Sequence, residues 1–225
     1  MNVVLGDAPL DLATLRRIHR DAPHLALAPA AERRMAESAA AVARLLASGR
    51  PVYGVNTGFG RLSQTRIADE ELEQLQRNIV LSHAAGVGPL LDDATVRLVL
   101  ALKIASLAQG ASGVRPELVE LLVCVHNRGV LPCVPAKGSV GASGDLAPLA
   151  HLALTLLGIG EARVDGHLLP ATAALAAAGL APLRLAPKEG LALLNGTQVS
   201  TALALRGLFA AEDVFAAATV AGAMS

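Results

Sequence analysis

Between Asp92 and Gln109 the sequence keeps helical spacing while staying apolar on nearly every face, from Val96 through Ile104 to Leu107. A helix without a polar stripe must be surrounded by other elements. The fold is therefore built around at least one central helix. Composition points the same way. Hydrophobic residues make up 53% of the chain, chiefly Ala and Leu, and aromatics only 2%. Ala and Leu are strong helix formers, whereas strands favour β-branched and aromatic residues. At 225 residues the chain is long enough for one large domain with an apolar core. The expectation is a mainly α helical bundle, a single domain over residues 1–225.

Flanking segments supply partners for the central helix. Residues 11–19 and 29–48 read as helices; Met35, Ala39, Val42 and Leu46 recur at helical spacing, and Gly49 follows as a cap. Residues 70–84 form a helix with Leu72, Leu75, Ile79 and His83 on one stripe, and another helix begins at Pro116 and ends before Gly129. Asp145 is positioned to cap a helix running to about Leu157. Asp165-Gly166 is a two-residue hairpin signal, residues 171–178 are a short helix, and the helical pattern from Pro187 is interrupted at Asn195-Gly196. Residues 1–10 have room for a short strand. The stretches 51–60 and 132–145 read as glycine-rich loops.

A formal net charge of zero and the near absence of aromatics argue against nucleic-acid binding. Cys124 and Cys133 match no metal or redox spacing. Without a secretory signal at the N-terminus they read as reduced thiols of a cytoplasmic protein. The uncharged stretch 166–183 is broken by Pro170, Gly179 and Pro182, so a membrane span is not expected.

The chemistry concentrates in KGSVGASGD at residues 137–145. A phosphate-binding loop would need Lys and Ser/Thr after its last glycine, and Asp145 stands there instead. A tight turn with a helix cap is the plain reading. A more specific one is cyclisation. Gly144 offers an unhindered amide nitrogen. Its attack on the Ala142 carbonyl carbon closes a five-membered ring. Loss of water there, and dehydration of Ser143, leaves an exocyclic methylidene conjugated to that ring. Asp145 is close enough to assist the proton transfers, and the positive end of the following helix makes the methylidene a better electron acceptor.

GSVGASGDLAPLAH at residues 138–151 resembles the signature of the aromatic amino acid ammonia-lyases. YGVNTGFG at 53–60, SHAAGVG at 82–88 and EGLALLNGTQ at 189–198 resemble further motifs of that family, in the family's order. The resemblance implies the ammonia-lyase/fumarase-like helical bundle, with a small β-hairpin and glycine-rich active-site loops. It also implies a 4-methylidene-imidazole-5-one formed autocatalytically from Ala142-Ser143-Gly144, with no metal or dissociable cofactor.

The same resemblance gives roles to residues that read plainly on their own. Tyr53, otherwise a packing residue, is placed over the substrate as the proton-transfer group. Asn195, otherwise a helix breaker, contacts the prosthetic ring, and Asp145 supports its formation. Asn56 and Gln198 are weaker candidates for pocket hydrogen bonds, while Lys137 and Glu189 receive no role. His83 alone reads as a core histidine. Members that prefer histidine carry Ser-His at these positions, and phenylalanine-preferring members carry apolar residues. The substrate expected is thus L-histidine, eliminated to trans-urocanate and ammonia after its amino group adds to the methylidene. The alternatives are a tyrosine or phenylalanine ammonia-lyase or aminomutase, and a non-catalytic helical assembly protein. Family members are longer and are homotetramers. The segment from Ala210 to Ser225 is apolar to its last residue. The chain is therefore expected to be the N-terminal part of a longer enzyme.

Overall fold

A computed structural model describes residues 2–58 and 65–225. The expected central helix is α4, Asp93–Leu107. Asp92 caps it, its Oδ1 accepting from Thr95 N at 2.8 Å. Nine of its residues are buried, among them Val96, Leu100 and Ile104. Three helices pack around it: α1 (Leu12–Asp21), α5 (Pro116–Asn127) and α9 (Gln198–Ala223). A second group, α3 (Leu72–His83), α6 (Leu146–Leu156) and α8 (Glu189–Leu194), packs mutually and joins the same core. On α2 (Pro29–Ala47) the predicted stripe is only partly covered. Met35 is buried, while Ala39, Val42 and Leu46 are half-buried. α7 (Ala171–Ala177) completes the set of α-helices among the described residues.

The hairpin forms as its turn residues dictate. β6 (Glu161–Val164) and β7 (His167–Pro170) pair antiparallel around Asp165 and Gly166, both with positive φ. The strand expected within residues 1–10 is β1, Val3–Leu5. It pairs in parallel with β2, Leu25–Leu27, which the sequence did not announce. The loop expected at 132–145 needs correction. Its start is extended and paired: β4 (Leu131–Pro132) lies against β6, and β5 (Pro135–Lys137) lies against β3 (Val87–Leu90). These strands are too short for any period, and prolines at their ends lack the N–H that a longer ladder would use.

The β3–β5 pair positions the site. β3 follows the end of α3, and β5 leads directly into the glycine-rich loop. Two segments far apart in sequence are thereby tied together. Among the described residues, no helix is long and apolar enough to cross a membrane.

Candidate active site

Residues 142–144 form a tight exposed turn after β5. Backbone ladder contacts pair both Gly141 and Ala142 with Gly144, leaving Ser143 at the exposed tip. Gly144 has φ +88°, and a Cβ there would lie 2.4 Å from the Gly196 carbonyl oxygen. Only glycine satisfies both the positive φ and this close approach. The next residue fastens the contact, Asp145 N donating to Gly196 O at 2.8 Å. The loop thus rests on the Asn195-Gly196 break between α8 and α9.

Asp145 stands at the start of α6 without capping it. Its backbone (φ −94°, ψ 51°) departs from the extended N-cap geometry, and no N–H of its own helix reaches the side chain. The fully buried carboxylate instead accepts Ser139 Oγ at 2.7 Å, Ser200 Oγ at 2.5 Å and Ser200 N at 2.7 Å. It therefore caps the first turn of α9 and binds the loop to it. Burial raises this carboxyl's pKa, but hydrogen bonds from Ser200 and Ser139 outweigh burial and hold it below the usual value.

Asn195 is exposed, and its Nδ2 donates to Leu191 O at 2.8 Å, using one of the amide's two N–H groups. Asn195 and Tyr53 line one cavity of about 300 Å³, together with Ser112, Lys188 and Leu191. Tyr53 is 57% exposed on a loop that Asn56 braces. Asn56 Oδ1 accepts from Val52 N at 2.7 Å, and its Nδ2 donates to Arg50 O at 2.9 Å. Asn56 is fully buried and engaged at both ends, so it braces the loop that carries Tyr53. Gln198 is turned inward as well, its Oε1 buried and its amide against Gly196. Phe59 and Gly60, the end of the YGVNTGFG motif, lie outside the described residues.

His83 ends α3 half-buried, with Nδ1 2.8 Å from the Ile79 carbonyl oxygen. That contact requires Nδ1 to carry a proton, so the neutral ring presents Nε2 as an acceptor. The chain leaving His83 is held by α6, where His151 Nε2 accepts from Gly86 N at 3.0 Å. Beneath the site, Gln76 Oε1 accepts from Gly190 N at 3.0 Å, and Glu189 pairs with Arg115 at 2.9 Å. Sequence reasoning missed Ser139, whose partner Asp145 read as a helix cap, and also Ser200, Gln76 and His151, whose partners are distant in sequence. A larger cavity of about 530 Å³, walled by Asp92, Asp93, Arg163 and Arg206, is not lined by any of these candidates.

Comparisons with known proteins identify the family. A family model described as aromatic amino acid lyase matches residues 10–225. The chain belongs to that family. It is 65% identical over 223 residues to a histidine ammonia-lyase of Aromatoleum aromaticum, covering 99% of this chain and 42% of the relative. Among solved structures, ergothionase from Treponema denticola, an ergothioneine-degrading enzyme, superposes with a TM-score of 0.92 at 28% identity. That match covers 95% of this chain and 43% of the other. Histidine ammonia-lyase from Trypanosoma cruzi superposes with a TM-score of 0.85 at 36% identity, covering 92% and 40% respectively. The chain spans about two fifths of the length of the curated relatives it matches.

Proposed function

We propose that residues 1–225 are the N-terminal domain of an enzyme that removes ammonia from L-histidine without oxidation, releasing trans-urocanate. The observation that carries the reading is the seating of residues 142–144 on the Asn195-Gly196 turn. The loop fits cyclisation. Ala142 and Gly144 are backbone neighbours across a one-residue tip, and Gly144 leaves no space for a side chain. Bond formation between Gly144 N and the Ala142 carbonyl carbon expels the carbonyl oxygen as water. Ser143 loses its α-proton and hydroxyl as a second water. The resulting methylidene-imidazolone supplies an electrophile for the substrate amino group.

The remaining residues act around that position. His83 Nε2 accepts a hydrogen bond from the substrate imidazole, which an apolar side chain cannot do. Tyr53, which lines the same cavity as Asn195, takes the β-proton. The second N–H of the Asn195 amide stabilises charge arising at the ring. Asp145 holds the loop during closure. The high identity to relatives named histidine ammonia-lyase supports histidine over tyrosine or phenylalanine. The complete protein is read as a cytoplasmic homotetramer. Free Cys124 and Cys133 and the exposed apolar end of α9 are in keeping with that.

The test is peptide mass across residues 138–163 of the complete protein, with side-by-side turnover of histidine, tyrosine and phenylalanine. A deficit of two waters confined to residues 142–144, and consumption of histidine alone, is expected. Ser143→Ala should abolish both. An unmodified peptide, preferential turnover of tyrosine, or a fully active Ser143→Ala protein would overturn the reading.

A further inference from the structure

Lys103 sits in the middle of α4, the central helix of the fold, and is only 1% exposed. Its ammonium group donates to Ala192 O at 2.6 Å and to Asn195 O at 2.8 Å. Among the described residues no carboxylate forms an ion pair with it. A buried cation without a counter-ion is unfavourable, and an apolar residue would fill this core position at lower cost. Stability alone therefore does not account for a lysine here.

The two carbonyls identify what it holds. Both belong to the C-terminal end of α8, where helix carbonyls lack intrahelical partners and the helix dipole is negative. Asn195 O is the carbonyl of the peptide bond between Asn195 and Gly196. The following carbonyl, Gly196 O, accepts from Asp145 N, and it is the atom that leaves no room for a Cβ at Gly144. A continuous set of contacts thus runs from Lys103 through the Asn195-Gly196 turn to residues 144 and 145. Burial lowers the Lys103 pKa to about 7. Charged or neutral, the amine retains an N–H for each carbonyl.

We infer that Lys103 is a positioning residue, fixing the Asn195-Gly196 turn so that the Asn195 amide and the cyclising loop at 142–144 meet in register. The inference rests on the proposed ammonia-lyase reading. It adds a residue that touches neither substrate nor ring and acts through the turn.

The test is a double-mutant cycle in the complete protein, with Lys103→Met, Asn195→Ala and the combined variant. Helical circular dichroism checks folding, and peptide mass reads ring content. In Lys103→Met, kcat should fall on the order of 10–100-fold, the scale of a small misplacement of reacting groups, with KM changed far less. In the Asn195→Ala background, Lys103→Met should cost little further, because both act at one turn. Folded Lys103→Met with wild-type kcat and ring content would overturn the inference. So would losses that simply multiply. If Lys103→Met does not fold, Lys103→Leu, which likewise has no donor, is carried through the same cycle under the same criteria. Failure of both variants to fold would make Lys103 a stability residue and also overturn it. Absence of ring and turnover in the unsubstituted protein would instead refute the ammonia-lyase reading.

Discussion

At the scale of single residues, the site is organised by side chains whose partners come from other elements. Asp145 shows why this matters. An Asp before an apolar helical run has the local signature of a cap. In the fold its carboxylate serves Ser139 and Ser200, the latter 55 positions further along. Removing it leaves two hydroxyls and one backbone N–H without their charged acceptor. Asp145→Ala should therefore destabilise the protein by about 2–3 kcal/mol. It should also reduce ring formation, because the loop loses its tie to α9. The sign of the pH effect follows from the lowered pKa. The folded state favours the ionised carboxylate, so this stabilisation is present above the ordinary value of 3.8 and is lost as pH falls through the lower, folded value. Thermal unfolding midpoints from pH 7 down to pH 3 should thus fall more steeply in the unsubstituted protein than in Asp145→Ala. Parallel curves would show that the carboxylate carries no such linkage.

At the scale of elements, the contact between α3 and α8 brings the histidine-bearing helix beside the asparagine-bearing one. It depends on close backbone approach. A Cβ at Gly190 would lie 2.7 Å from the Gln76 carbonyl oxygen and 2.9 Å from Ile79 Cγ2. The first of these is backbone and cannot swing away. Gly190→Ala should force the helices apart, costing about 1–3 kcal/mol. Since His83 and Asn195 end these two helices, KM for histidine should rise as well; an unchanged midpoint and unchanged KM would show that the spacing is not critical. This packing also marks where sequence reading succeeds and stops. α4 and the β6–β7 hairpin were legible because period and turn residues encode them locally. β2 to β5 were not, since strands of two to four residues carry no period and exist through remote pairing. Within the site, the triad and Asn195 stood out as motif residues. Gln76 and Lys103 looked like ordinary polar residues of helices, because their function lies in carbonyls and N–H groups more than 80 positions away.

At the scale of the whole molecule, α9 is two different helices in one. Its first half is anchored by Val199, Ala202, Leu205 and Phe209, all buried against the core. Beyond Phe209 every residue is exposed. Val214 is 69% exposed, Phe215 74%, Val220 61% and Met224 83%. The single-chain fold offers this half no apolar surface to cover, although Arg16 and Arg20 of α1 reach Glu212 and Asp213 at its start. An exposed run of this kind favours association in water. Sedimentation velocity on the 225-residue chain should show a weight-average mass that rises with concentration. Phe215→Glu, combined with Val220→Glu, should shift the distribution toward monomer while leaving the helical circular dichroism unchanged, because neither side chain contributes to the core. If the double variant associates as strongly as the parent, another surface drives assembly. If the parent remains monomeric throughout, this end of α9 tolerates water unaided, and the support it lends to the tetramer is withdrawn.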